Sequence, residues 1–214
     1  MNVTIFGTGN MARAIATRML AGGNSVTFLS RTPDKSAKLA QDLAPHAKKG
    51  ATIRVAALGS AIADPVVINT IWFHSAQDVI KAHSDQLKGK ILVDVTNPLN
   101  QTFDDLATPP GSSAAEEIAR VAPKETKVVK AFNTTFAGLV AQGHVANQPL
   151  DVFIAGDDAQ AKATVAQLIE EGGQHPIDAG PLKRARQLEG LGLLNITLQA
   201  KHAKPWMNSV KIVG

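Results

Sequence analysis

Directly after its first apolar run, residues 3–6, the chain reads Gly7-Thr8-Gly9-Asn10-Met11-Ala12 and passes into an amphipathic stretch over 11–21. Small residues at the first, third and sixth positions are what a strand-to-helix turn needs when a diphosphate must approach its backbone. Gly7 permits the tight turn, Gly9 removes a Cβ that would block the pyrophosphate, and Ala12 lets helix and strand pack closely. The free N–H groups of the first helical turn, around Asn10 and Met11, then face the phosphates. A turn serving only the fold has no need of all three small residues at the head of a strand-helix-strand unit, so the motif is read as a dinucleotide site.

The remainder of the chain agrees with that reading. Short runs rich in Val and Ile at 3–6, 25–29, 53–57, 66–71, 91–95, 127–132, 152–155 and 175–178 alternate with longer amphipathic stretches. Several are apolar at consecutive residues, which suits strands covered on both faces by helices. The expected fold is α/β: a Rossmann-type, doubly wound, mostly parallel sheet over 1–180, with a helical extension over 181–214. Helix boundaries are readable as well. Gly22-Gly23 stops the first helix, Ser113 and Glu116 have capping-box spacing, and Gly156-Asp157-Asp158 opens a helix that runs to Glu171 and ends at Gly172-Gly173. The segment 182–199 reads as helical but is interrupted by Gly190 and Gly192, and 97–111, rich in Pro, Asn, Asp and Thr, reads as a long surface loop.

Composition removes several classes of chemistry. The 214 residues include no Cys and no Tyr, so thiolate nucleophiles, cysteine-held metals and a tyrosine proton donor are all excluded. Aromatic residues make up 4% of the chain, and the formal net charge of +4 is dispersed. Neither stacking platforms nor a basic run points to nucleic acid. His46, His83, His144, His175 and His202 show no metal-ligand spacing, so no metal is expected. Without a leader-like start or a long apolar run, a cytoplasmic protein that does not engage membranes is expected.

The choice of nucleotide is read at the end of the second strand. A protein selecting NAD usually places Asp or Glu there, against the ribose hydroxyls. Here stand Ser30-Arg31-Thr32, with Lys35 one helical turn further on. Arg31 can pair with a 2′-phosphate, and Ser30 and Thr32 can offer hydroxyls. Two hydrogen bonds to a charged group are enough to favour NADP over NAD by roughly a hundredfold. His74, just past the fourth strand, belongs to a loop that should border the cofactor. The acceptor end is expected between Trp72 and His74, the segment from Asn133 to Ala137, and the helix start near Leu182. There Lys183, Arg184 and Arg186 can meet an anionic tail, while Trp72 and Phe73 offer area to a planar ring.

Taken in order, the Gly7 to Ala12 loop, Ser30-Arg31 with Lys35, Thr70-Ile71-Trp72, Ala131-Phe132-Asn133-Thr134 and Asp178-Ala179-Gly180-Pro181-Leu182 with Arg186 and Glu189 resemble the deazaflavin-dependent NADP oxidoreductase family. The same set resembles the cytosolic oxidoreductase domain of membrane metalloreductases, which passes electrons from NADPH to a flavin. The resemblance implies direct hydride transfer between NADP(H) and a small-molecule acceptor, 8-hydroxy-5-deazaflavin, FMN or FAD, with no catalytic acid or base. It adds Thr70, Ile71, Trp72, Asn133 and Ala137 to the cofactor site, and a homodimer is the expected assembly. Two positions depart from the family pattern: Phe73-His74-Ser75 replaces Trp-Glu-His, and Asn133 replaces His. Gly9 to Ile15 also resembles the opening of pyrroline-5-carboxylate reductases, an imine-reducing class. A non-catalytic NADP sensor is the remaining alternative.

Overall fold

Strands form where the apolar runs lie. In the computed structural model, which describes residues 1–48, 50–199 and 206–213, β1 (Asn2–Phe6), β2 (Ser25–Ser30), β3 (Ile53–Ala57), β4 (Val66–Asn69), β5 (Ile91–Asp94) and β6 (Lys127–Lys130) are mutually parallel. A two-residue hairpin, β7 (His144–Val145) with β8 (Gln148–Pro149), follows. The chain then enters β9 (Asp151–Gly156), antiparallel to β6, and β10 (His175–Asp178), parallel to β9. The sheet order β10-β9-β6-β5-β4-β1-β2-β3 is the Rossmann-type arrangement. Its direction reverses between β1 and β4, and that is where an α/β sheet opens a crevice at its carboxyl edge.

Both faces of the sheet are covered, which explains the uninterrupted apolar strands. On one side α1 (Asn10–Ala21), α2 (Pro33–Leu43), α6 (Ala137–Gln142) and α7 (Ala159–Glu171) pack on Val3, Ile5, Val66, Ile68, Val93 and Val129. On the other, α3 (Phe73–Ala82), α4 (Ser84–Leu87), α5 (Ala114–Val121) and the start of α8 (Ala185–Thr197) cover Phe6, Leu29, Val67, Leu92 and Val128. Alternate residues of one strand thus reach opposite cores.

The caps lie at the positions that their spacing indicates. Ser113 Oγ accepts from the Glu116 amide at 3.2 Å, and Asp158 Oδ1 accepts from the Ala161 amide at 2.8 Å. Gly190 and Gly192 do not break α8. A Cβ on Gly192 would stand 2.6 Å from Asn97 Oδ1 and 2.9 Å from the Asn133 carbonyl, so this glycine lets the helix press against the loops beyond β5 and β6. The buried face of α8, including Ala185, Leu188 and Asn195, packs on its own chain. Residues 206–213 return to β9, where Lys211 and Ile212 bond Asp151. His202 lies outside the described residues. No described helix is long and apolar enough to cross a membrane.

Candidate active site

Two loops meet at the switch point. β1 ends at Phe6, and Gly7 takes φ +101°, a left-handed conformation that side chains disfavour. Its amide donates to the Leu29 carbonyl at 3.0 Å. A Cβ at Gly7 would fall 2.9 Å from Thr70 Oγ1, and that hydroxyl donates to the Phe6 carbonyl at 2.6 Å. Thr70 therefore ties the turn after β4 to the end of β1. Gly9 differs in kind: a Cβ there would meet nothing within 4 Å. The first helical bond runs from the Arg13 amide to the Gly9 carbonyl, so the amides of Asn10, Met11 and Ala12 have no helical partner. No acidic residue or side-chain cap occupies this end of α1, which suits an anion. Thr8, half-buried, lies in the turn between the two glycines.

At the end of β2 the four marked residues divide. Ser30 is buried, and its hydroxyl is engaged with Ser36 Oγ at 2.6 Å and with the Thr32 backbone. It holds the turn that leads into α2. Arg31, Thr32 and Lys35 are exposed, and neither Arg31 nor Lys35 forms an ion pair among the described residues.

Beside the glycine loop lies a cleft of about 480 Å3. Asn10, Met11, Thr70, Ile71, Trp72, Asn133 and Ala137 line it together, so β1, β4 and β6 deliver their expected residues to one place. His74 does not line it, being exposed on the first turn of α3 with its ring edge-on to Phe73 at 6.3 Å. Five of the chain's nine aromatic residues, Trp72, Phe73, Phe103, Phe136 and Trp206, form its walls. Among the described residues, no Asp, Glu, Lys, Arg or His side chain lines it. Among the described residues, Asn133 Oδ1 and Thr135 Oγ1, both in the lining, are buried polar atoms without a hydrogen-bond partner. The Asn133 amide nitrogen is held by Asn97 Oδ1 and the Leu188 carbonyl, both at 2.9 Å. Its free oxygen is thereby fixed in direction. Phe132, just before it, is buried with φ +63°, a strained backbone of the kind that concentrates at functional sites.

One expectation is corrected by this geometry. Lys183, Arg184 and Arg186 do not line the cleft, because α8 reaches it two turns later, with Gly192, Asn195 and Ile196. Arg186 instead clamps Glu116 of α5 through Nε at 2.8 Å and Nη2 at 2.6 Å. Its guanidinium holds the Glu116 carboxyl below the ordinary carboxylate range.

Beneath the cleft is a charged group that sequence spacing does not reveal. Lys130 Nζ, wholly buried, donates to Asp94 Oδ2 and Glu189 Oε1, each at 2.7 Å, and to the Thr96 carbonyl. Burial works to lower the Lys130 pKa, but the two carboxylates outweigh it and hold the ammonium above its ordinary value. Burial pushes Glu189 above the usual carboxylate range against the pull of Lys130. Glu189 also accepts from the amides of Ala114 and Ala115 at 2.8 and 3.3 Å, closing the start of α5. Thr96, a cleft residue, bonds Asp94 through its hydroxyl at 3.0 Å. The triad joins β5, β6, α5 and α8 directly behind the cleft wall.

Residues 2–98 match the family described as NADP oxidoreductase, coenzyme F420-dependent. The chain is 31% identical over 215 residues to the F420-dependent NADP reductase of Methanocaldococcus jannaschii, covering 94% of each. It belongs to the coenzyme F420-dependent NADP oxidoreductase family. A solved structure from Arthrobacter sp. FB24, described as a candidate F420-dependent NADP reductase, is 31% identical and superposes with a TM-score of 0.85 over 99% of both chains. Rat metalloreductase STEAP3 is 36% identical over 195 residues, which is 89% of this chain but 36% of that protein. The chain thus spans about a third of that relative's length. As a family member it is an NADP-dependent oxidoreductase.

Proposed function

We propose that this oxidoreductase moves a hydride between NADP(H) and a deazaflavin whose ring lies in the aromatic cleft. The observation that carries the reading is the aromatic surface of the cleft, where the described lining residues include five aromatic side chains and no titratable one. Reduction of a carbonyl or imine is helped by a positioned proton donor, whereas transfer between two rings needs mainly position and exclusion of water. When both are bound, the nicotinamide supplies the hydride, the deazaflavin ring accepts it, and one proton is taken from water.

The protein's own groups fit such ligands. The open space over Gly9 and the unpaired amides of α1 suit a pyrophosphate. Asn133 Oδ1 can accept from a carboxamide NH2 group, and Thr135 Oγ1 can donate to its oxygen; these would turn two unpaired buried atoms into bonded ones. Arg31, Thr32 and Lys35 are free to hold a 2′-phosphate.

Gly9 offers a clean test of the phosphate placement, because its side-chain direction is empty in the protein. Gly9→Val is expected to keep the native melting temperature while weakening NADPH binding by at least about tenfold. Titration calorimetry showing native affinity would move the pyrophosphate elsewhere. For the reaction, loss of NADPH absorbance is followed with 8-hydroxy-5-deazaflavin, FMN, FAD and pyrroline-5-carboxylate in turn. The deazaflavin is expected to be reduced with the highest kcat/KM and the imine not at all. Turnover confined to the imine overturns the proposal, and NADPH binding without any turnover points to a sensor.

A further inference from the structure

The mouth of the cleft carries an aromatic wall that the fold itself does not require. Trp206 is 53% exposed, yet it lines the cleft edge-on to Phe136, with ring centroids 5.0 Å apart and planes at 88°. Its φ is +65°. Phe103, on the loop over 97–111, also lines the cleft half-exposed, at φ +58°. Bulky side chains rarely hold positive φ, and they persist there only where surrounding bonds over-determine the backbone.

Such bonds are present around Trp206. Its amide donates to Gln199 Oε1, and the Gln199 side-chain nitrogen donates to the Asn195 carbonyl and to Asn208 Oδ1, both at 2.6 Å. Asn195 in turn donates to the Thr134 carbonyl at 3.1 Å, within the cleft wall. Further along, Asp151, whose carboxylate is wholly buried, accepts from Lys211 Nζ at 2.7 Å and from the Ile212 amide at 2.8 Å. His175 Nδ1 lies 3.0 Å from the same carboxylate. The segment from Trp206 to Ile212 is therefore a strap, fastened at α8 and again at β9, that presents one indole to the cleft.

We infer that Trp206 is a specificity-determining wall of the acceptor site, that it receives a face of a planar, polycyclic acceptor ring, and that Asp151 and Lys211 are positioning residues that act through it. The inference rests on the hydride-transfer reading above and adds to it the residue against which the acceptor ring is selected, with the pair that positions that residue. A fused ring covers the indole, whereas a small aliphatic imine leaves it in water. The strap's hydrogen bonds run to Asn195, Gln199, Pro149 and Asp151 and not to the glycine turn, so NADPH affinity is the control that separates the two ends of the cleft.

The test uses the full chain, NADPH and 8-hydroxy-5-deazaflavin. Trp206→Ala is expected to raise the deazaflavin KM by about tenfold, with kcat and the NADPH dissociation constant within about twofold of native. Trp206→Phe should restore most of the loss. Lys211→Met should raise the same KM, and the double variant Trp206→Ala/Lys211→Met should be no worse than Trp206→Ala alone, because a residue acting through another is not additive with it. An unchanged deazaflavin KM in Trp206→Ala overturns the inference while leaving the hydride-transfer reading intact, as does a parallel loss of NADPH affinity. Additive effects in the double variant overturn the positioning role. A native chain that neither reduces the deazaflavin nor shows quenching of its tryptophan emission on titration with it overturns both.

Discussion

Replacing Arg31 by Ala is expected to weaken NADPH binding by roughly ten- to a hundredfold and to leave NADH binding within about twofold, as read by titration calorimetry of both nucleotides. The asymmetry follows from what Arg31 lacks in the protein. It stands exposed at the end of β2, with no ion pair among the described residues, and no acidic side chain occupies the turn where an NAD-selective protein would hold ribose hydroxyls. A guanidinium in that position suits a dianionic 2′-phosphate, which NADH does not present. Arg31→Lys retains charge but not the forked geometry, so it should fall between native and Ala. Raising salt should diminish the NADPH preference, because the pair is solvent-exposed. Equal affinity of the native protein for the two nucleotides would refute the assignment, as would an equal loss of both in the Ala variant.

Eight strands are legible because a parallel strand with helices on both faces must be apolar along its length: every residue of Val66–Asn69 is buried. What sequence pattern misjudges is where the strands stop. The apolar runs 66–71 and 127–132 each continue two residues past β4 and β6. Thr70 turns its amide and hydroxyl onto the Phe6 carbonyl, and Phe132 takes φ +63°. Both exits are set by partners from elsewhere in the fold, and an apolar side chain carries no mark of them. The β7-β8 hairpin escaped for a different reason. Its strands have two residues each, too short for periodicity, and its turn relies on Ala146 and Asn147 at φ 48° and 61°.

The glycine half of the site is legible because the constraint is local: a backbone approached by a phosphate needs small residues within six positions. The acceptor half proposed above is assembled from distant segments. Phe103 comes from a loop rich in turn residues and Trp206 from beyond α8, and neither has neighbours in sequence that announce a cleft. The basic residues at the start of α8 drew the acceptor toward Lys183 and Arg184, since charge is visible in sequence and helix phase is not. On the folded chain the helix delivers Gly192, Asn195 and Ile196 to the cleft instead.

The buried triad shows the same limit with the largest energetic consequence. Asp94 and Lys130 are 36 residues apart, and Lys130 and Glu189 are 59 apart, so no spacing rule joins them. Lys130→Met should fit the space and yet destabilise the protein by about 3–5 kcal/mol at neutral pH, because it leaves two carboxylates buried without their shared cation. The dependence on pH gives this prediction a sign. Glu189 already titrates above its unfolded value, and losing Lys130 raises it further. A carboxyl whose folded pKa is raised binds its proton more tightly in the folded state, so folding is favoured as pH falls toward the unfolded value. The deficit of Lys130→Met relative to native should therefore shrink as pH drops from neutrality toward the ordinary carboxylate range. For the native chain the ammonium works in the opposite window: its stabilisation is fully present below the ordinary lysine value and is lost only as pH rises through the raised folded value. Urea unfolding of both proteins across acidic and neutral pH reads the difference, and a deficit constant with pH would mean that packing, not charge, holds this junction. The triple variant Asp94→Asn/Lys130→Met/Glu189→Gln removes the charges together and should recover much of the loss, since the cost of Lys130→Met arises from the uncompensated carboxylates and not from the missing ammonium itself.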